Sequence, residues 1–469
     1  TAGTFLNGLM HIGRTKLPGG RCAEPPSLCL TESITRHGIT AGRMKTGTPV
    51  RIDGRSVHFD EMQQQPGESD FHQFSYMGAH RELPQLPCWI TYTNPAVHER
   101  LRQSLPDSPL YNGQIQSIGP RYCPSIETKL VTFADKEQHQ LFLEPEGTQT
   151  QEFYLNGFSS SMPIEAQLEA LRLIPAFRDV QIYRPGYAIE YDYFDPTQLR
   201  HTLESKLVDG LFMAGQVNGT TGYEEAAGQG LIAGINAALK AGGSQDTFIL
   251  QRDEAYIGVL IDDLVMKGVD EPYRMFTSRA EYRLFLRSDN AETRLKERAH
   301  QIGMISDGDY ADWKRRLQQM GEVREFLTAE SASPEQANQV LSEGGQALAE
   351  TRTRWINVLR RPGIDPERLF ETALPERNIP RRDQWFLYAE EIYAGFLERQ
   401  SKEIEEQKKM ESVKLPADLD FMQVGVISIE SRQRLNAVKP MTLGQASRVP
   451  GVRPADITML YHWLENNRL

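Results

Sequence analysis

Cys123 lies in GPRYCPSIETK, bracketed by Pro120 and Pro124, next to Arg121 and ahead of Lys129. Nearby cations favour the thiolate, the form of cysteine that attacks electrophiles. The same residues are compatible with an inert buried thiol, which packs as a small hydrophobe. Cys22, Cys29 and Cys88 have weaker claims to reactivity, and no C-x-x-C pair occurs among the four cysteines. A zinc ribbon, a dithiol redox centre and a disulfide scaffold are therefore not indicated, and no metal site is expected.

A second chemistry-bearing stretch is LFMAGQVNGTTGYEEAAGQGLIAGINAALKAGG, residues 211–243. The apolar run Leu211–Ala214 predicts a buried strand. Gly215, Gln216, Asn218, Gly219, Thr220, Thr221 and Gly222 predict a loop, and the spacing of apolar residues from Tyr223 predicts a helix ended by Gly242 and Gly243. In that order the loop presents backbone N–H groups and a positive helix end, which suits a pyrophosphate or an electron-rich ring. Gly219 and Gly222 would let backbone approach a ligand closely. Gly228, Gly230 and Gly234 each cost about 1 kcal/mol of helix propensity relative to alanine, so close packing is expected to compensate. The plain alternative is an ordinary crossover helix in an α/β sheet.

Charged residues form two further groups. Arg279, Arg283 and Arg287 recur four apart in SRAEYRLFLRSDNA, a spacing that predicts three guanidinium groups along one helical face, and Arg274 adds to the patch. Such a row could grip phosphates or be a solvated face. In RPGYAIEYDYFDP, Tyr187, Ile189, Tyr191 and Tyr193 alternate with small or acidic residues, predicting a strand with Glu190, Asp192 and Asp195 at a site rim or on a solvated edge.

These groups must be positioned by about three units, since 469 residues exceed one core. Hydrophobic content of 39% and charged content of 25% are those of a globular protein, and no apolar run approaches the ~20 residues of a membrane span. The texture is cytosolic in type, without membrane association. A net charge of −11 argues against a wholly nucleic-acid-coating protein but not against a local basic patch. Changes of texture divide the chain at 1–47, 48–119 (an inserted α/β module containing CWITYT), 120–245, 246–410 (helical) and 411–469 (short helices). EEIYAGFLERQSKEIEEQKKMESV predicts one long amphipathic helix, and the turn in SRVPGVRPADI could meet a nucleic-acid backbone or dock a protein. A G-x-G-x-x-G turn is not found near Thr1, so the first βαβ unit of a dinucleotide-binding fold is expected upstream of it.

Read whole, the strand, Ala-Gly, polar residue and Gly/Thr loop resemble the C-terminal flavin-contacting segment of two-dinucleotide-binding-domain flavoproteins. GRMKTGTPVRID, GPRYCPSIETK, FLEPEG, RPGYAIEYDYFDP, LFMAGQVNGTTGYEEAA and EPYRMFTSRAEYRLFLRSDNA together closely resemble the tRNA uridine 5-carboxymethylaminomethyl modification enzymes, the MnmG (GidA) family. The resemblance implies an α/β FAD-binding core with an inserted α/β module, followed by an all-helical C-terminal region. It implies an enzyme that acts with a partner GTPase of the MnmE family on the wobble uridine of tRNA. Methylene-tetrahydrofolate would supply the carbon, NADH the reducing power, and glycine or ammonium the amine. By motif, Ser27 and Gln216 fall where the family contacts FAD. Gly119, Pro120, Arg121, Tyr122, Pro124, Ser125, Ile126, Glu127, Lys129 and Phe133 fall in its nicotinamide-nucleotide region, and Cys123 matches one of two functional cysteines. The family's phosphate turn and its other functional cysteine lie upstream of the position matching Thr1. A homodimer is expected, joined by the GTPase into a heterotetramer through the C-terminal helices. Two other readings stay open: a folate- and FAD-dependent tRNA uracil methyltransferase, and a non-catalytic tRNA- or GTPase-binding scaffold.

Overall fold

A computed structural model describes residues 1, 5–21, 23–68, 84–122, 124–416 and 418–467. Cys22 and Cys123 lie outside the described residues. The chain divides into two units: Thr1–Ile249 with Asp263–Arg274, and Leu250–Asp262 with Met275–Leu469. Among the described residues, no helix is long and apolar enough to cross a membrane.

The first unit is built on a sheet of β1 (Leu9–Ile12), β2 (Thr15–Pro18), β3 (Ala41–Asp53), β4 (Gln63–Gln65), β5 (Cys88–Tyr92), β6 (Gln140–Pro145), β7 (Glu152–Ser159), β8 (Ile182–Arg184) and β9 (Tyr187–Phe194). The strand order is β2-β1-β9-β3-β7-β6-β5-β4, with β8 also on β3. Its helices are α1 (Leu30–Thr35), α2 (Pro95–Gln103), α3 (Ile126–Thr132), α4 (Ile164–Arg172) and α5 (Tyr223–Ala241). The central pair is antiparallel, Ala41 opposite Phe194 through Thr48 opposite Tyr187, with Met44 facing Tyr191 and Lys45 facing Glu190. From Pro49 onward, β3 pairs with β7 instead. Residues 47 and 48, between which the texture suggested a boundary, therefore lie inside one continuous strand. Val50 and Ile52 of β3, Leu141 and Leu143 of β6, and Leu155 of β7 pack against Val97 and Leu101 of α2, Ile126 and Leu130 of α3, and Ala166 and Ala170 of α4.

The alternation in β9 does not produce a wet face. Ala188, Ile189, Glu190 and Tyr191 are all buried, because β9 is an interior strand covered on both sides. The expected strand at Leu211–Ala214 is also absent. Only Phe212 pairs, as an isolated bridge with Glu204. The Met213 carbonyl is taken by the Asn218 side chain at 2.9 Å rather than by a neighbouring strand.

Helix α6 (Tyr256–Lys267) spans the division between units. The second unit is mainly helical, with one short antiparallel pairing of Ser331–Ala332 with Thr353–Arg354: α7 (Ala291–Gln301), α8 (Asp307–Ala329), α9 (Pro334–Glu343), α10 (Trp355–Leu359), α11 (Pro366–Ala373), α12 (Arg381–Ile392), α13 (Ala394–Ser412), α14 (Ile429–Val438), α15 (Leu443–Arg448) and α16 (Pro454–Asn467). One of its cores joins Val323 and Leu327 of α8 to Trp355 and Leu359 of α10, Leu369 and Phe370 of α11, and Leu387 of α12. The single long helix expected through Glu390–Val413 is two helices that meet at Tyr393, whose φ and ψ are −96° and 2°. The mixed α/β region followed by a helical C-terminal region agrees with the sequence expectation.

A pair of imidazoles makes the first unit acid-sensitive. The Thr93 hydroxyl accepts the His139 backbone N–H at 2.8 Å and shares a 2.7 Å hydrogen bond with His98 Nε2; the two rings are 5.1 Å apart. Burial holds both imidazoles below their ordinary pKa of 6.5. The unfolded chain then binds protons that the folded one resists, so the stabilisation is complete above about pH 6.5 and is lost as pH falls through the lowered values. Urea denaturation of the protein should show its midpoint falling between about pH 7 and pH 5. His98→Asn should flatten that slope; an equal slope in the variant would assign the acid sensitivity elsewhere.

Candidate functional site

The loop from Gly215 to Gly222 joins an extended segment to α5 without the help of a strand ladder, so its buried polar groups need other partners. Gln229, two turns into α5 and fully buried, supplies them. Its carbonyl oxygen accepts the Gly215 N–H at 3.2 Å and the Asn218 side-chain amide at 2.8 Å. Its own amide donates to the Thr220 hydroxyl at 3.1 Å and to the Glu225 carbonyl at 3.2 Å. Between these ties, Gln216–Asn218 forms a 3-10 turn. Gly215 has φ 89° and ψ −144°, a region open to glycine almost alone. Gly219 has φ 79°, and a Cβ there would meet Val269 Cγ2 at 2.7 Å, with Tyr193 of β9 and Met44 of β3 within 3.5 Å. On the other side, Tyr273 N–H donates to the Gly219 carbonyl at 2.8 Å and Thr221 N–H to the Tyr273 carbonyl at 3.3 Å.

The cysteine-bearing segment meets this loop. The Tyr122 hydroxyl hydrogen-bonds the Thr221 hydroxyl, and the Arg274 guanidinium lies 5.7 Å from the Tyr122 ring centroid. Arg274 Nε in turn donates to the buried Glu225 carboxylate at 3.0 Å. Arg274 thus fastens α5 to the residue preceding Cys123. Cys123 itself lies outside the described residues, so its thiol has no place in this geometry. Arg121 is exposed and pairs with Glu271 at 3.2 Å, while Gly119 has the Lys45 side chain where a Cβ would stand.

Downstream of the cysteine the residues serve the fold. Ser125 caps α3 through the Thr128 N–H, and Ile126 is in the core. Glu127, fully buried, accepts from the Ser161 N–H at 2.6 Å and from the Ser160 and Ser161 hydroxyls. Lys129 donates to the Gly157 carbonyl at 2.9 Å, and Phe133 is half-exposed at the helix end. Pro124 leads into the cap.

Ser27 reaches the same neighbourhood through its backbone. Its N–H donates to the Phe5 carbonyl at 3.0 Å and its carbonyl accepts the Asn7 N–H at 2.9 Å. The Phe5 ring packs edge-on against Tyr191, with centroids 5.1 Å apart. Gln216 and Tyr122 are the polar neighbours of the Tyr191 phenol, which burial pushes well above its ordinary pKa. The Ser27, cysteine-loop and glycine-loop segments therefore converge.

The expected anion seat at the start of α5 is not there. Glu224 and Glu225 occupy its first turn, and a Cβ at Gly222 would overlap the Glu225 carboxylate. A phosphate would meet an acid at that helix end. A flat ring with a polar edge fits better, since the Tyr191 hydroxyl and Asn218 Oδ1 are buried without a hydrogen-bond partner among the described residues. The acids assigned to a rim are likewise engaged. Glu190 pairs with His11 Nε2 at 3.0 Å and accepts from Ser117 at 2.6 Å; Asp192 pairs with Arg43 at 2.6 Å and Asn7 at 2.7 Å; Asp195 caps the turn Pro196–Gln198.

The arginine row is not a helical face. Thr277–Arg279 is a short 3-10 turn and 280–290 are turns, bends and irregular backbone with no helix among them, so the four-residue spacing does not align the side chains. Arg287 is held by Asp289 at 2.9 Å, by Glu390 at 2.5 Å and by its contact with the Leu284 carbonyl. Arg279 is half-buried and Arg283 exposed; both belong to the second unit, whereas Arg274 belongs to the first.

Comparison with known proteins agrees with this architecture. Residues 1–245 match the family model for glucose inhibited division protein A; 307–401 and 403–469 match the C-terminal helical domain and helical bundle of the tRNA modifying enzyme MnmG/GidA. The class is thus a GidA-type α/β unit carrying MnmG-type C-terminal helices. The tRNA uridine 5-carboxymethylaminomethyl modification enzyme MnmG of Phocaeicola vulgatus is 57% identical over 469 residues, covering 98% of this chain and 75% of that protein. That of Bacteroides thetaiotaomicron is 57% identical over 472 residues, with the same coverage. The structure of Aquifex aeolicus GidA superposes with a TM-score of 0.86 at 41% identity, over 99% of this chain and 74% of that one. The chain belongs to the MnmG (GidA) family.

Gln229 was not foreseen as a site residue, although a lone amide between glycines on a small-residue helix was a signal that it is buried against backbone. Gln229→Leu keeps the volume but removes the partner of the Gly215 N–H and of the Thr220 hydroxyl, and leaves the Asn218 amide with the Met213 carbonyl alone. A loss of roughly 3 kcal/mol in urea unfolding is expected; a loss below about 1 kcal/mol would mean the loop holds its shape without this residue.

Proposed function

We propose that this chain is an FAD-dependent tRNA modification enzyme. With a partner GTPase of the MnmE family, it would install the 5-carboxymethylaminomethyl or aminomethyl group on the wobble uridine of tRNA. Methylene-tetrahydrofolate is the carbon donor and NADH the reductant in this reading. The observation that carries it is the hydrogen bond between the Tyr122 and Thr221 hydroxyls, which holds the cysteine segment against the glycine loop. When bound, FAD supplies the redox chemistry of the one-carbon unit. Gln216, on the loop that Gly215 and Gly219 shape, would contact the flavin.

Carbon 5 of uracil is a poor nucleophile. Addition of the Cys123 thiolate at carbon 6 would generate an enolate able to attack through carbon 5; alternatively the thiol carries a proton. Arg121, two positions before Cys123 in the chain, would bring positive charge to this segment, where it pairs with Glu271. Arg283, exposed, is the member of the arginine group best able to meet an RNA phosphate. The C-terminal helices would dock the GTPase, and the working assembly would be a homodimer joined to it as a heterotetramer. The MnmG-type helical matches over 307–469 favour this reading over a tRNA uracil methyltransferase.

The test is nucleoside analysis of tRNA incubated with the protein, the GTPase partner, FAD, NADH and methylene-tetrahydrofolate. Modified uridine should form, and Cys123→Ser should reduce it to background. Wild-type product levels in the variant would remove the thiol from the mechanism, and a 5-methyluridine product would favour the methyltransferase.

A further inference from the structure

Tyr191 lies within RPGYAIEYDYFDP, where the alternation gave it a place in a strand but no role at the site. It stands mid-way along β9, opposite Met44 of β3, with its side chain wholly buried. Phe5 closes one side of the ring. Gln216 and Tyr122 lie near the hydroxyl, one from the glycine loop and one from the cysteine segment. Gln216 is close enough to the hydroxyl to influence it, yet among the described residues the Tyr191 hydroxyl is left without a hydrogen-bond partner.

A buried hydroxyl left unpaired costs roughly 1–3 kcal/mol, whereas phenylalanine would fill the same space without that cost. The second buried polar atom without a partner here, Asn218 Oδ1, belongs to the same glycine loop. Buried atoms of this kind occur elsewhere in the chain too, but these two belong to the glycine loop and to the strand beneath it, where a group that is not part of the chain could satisfy both. The phenol is held neutral by its burial, so its hydrogen remains available to donate.

We propose that Tyr191 is a flavin contact, its hydroxyl donating a hydrogen bond to an acceptor on the polar edge of an isoalloxazine seated on the Gly215–Gly222 loop, beside Gln216. This rests on the flavin reading above and adds a residue to it. Asn218 Oδ1 offers the complementary acceptor for a ring N–H. The pairing of a donor from the sheet with an acceptor from the loop would select a ring bearing both kinds of group on one edge.

The test compares the unaltered protein with Tyr191→Phe in three measurements: FAD titration by flavin fluorescence, the visible absorption band of the bound flavin, and thermal melting of flavin-free protein. The variant should bind FAD about tenfold more weakly, as expected for one lost hydrogen bond. Its absorption band should shift, and its flavin-free melting temperature should hold or rise. Equal affinity and an equal spectrum would overturn the assignment. So would a lower flavin-free melting temperature, which would make the hydroxyl a structural group. If the unaltered protein takes up no FAD, the flavin reading itself fails and this contact with it; uptake by the unaltered protein with no difference in the variant fails the contact alone.

Discussion

The first unit depends on satisfying backbone and side-chain polar groups where a chain leaves extended structure and enters a helix without a strand ladder. One buried amide, that of Gln229, bonds two groups through its oxygen and two through its nitrogen. With that amide in place, the loop can carry Gly215 and Gly219 at positive φ and still lie close against β3 and β9. The positions of Gln216, Thr220 and Thr221 follow from this constraint.

The antiparallel pair of β3 and β9 supplies the platform. Because the two strands run in register over eight residues, Met44 and Tyr191 face each other and sit under the loop. Burial on both faces then turns the acids of β9 inward, where each needs a partner. Glu190 is bonded by His11 and Ser117, and Asp192 by Arg43 and Asn7. Gln114 Nε2 donates to His11 Nδ1 at 2.8 Å, leaving Nε2 to carry the hydrogen offered to Glu190. Charge that resembled a catalytic rim is therefore spent on joining strands.

Cations follow the same logic. Arg274 clamps Tyr122 against α5 through Glu225, and Arg287 ties a turn to α12 through Glu390. Their spacing in the chain carried a helical interpretation only so long as the segment was a helix. The turns, bends and irregular backbone at 280–290 place successive arginines in different surroundings.

Much was determined by the sequence alone. The small-residue helix at 223–241, the strand at 88–92, the glycine loop and the helical C-terminal half were legible because each rests on local periodicity or on backbone freedom peculiar to glycine. The long motifs also carried the family. Tertiary structure decided the rest: that Leu211–Ala214 forms no strand, that Tyr393 splits a predicted helix, that the start of α5 already holds a carboxylate, and that Tyr122 and Thr221 touch across 99 positions of chain. Those outcomes depend on which distant group reaches a polar atom first, and such competition leaves no trace in the spacing of neighbouring residues.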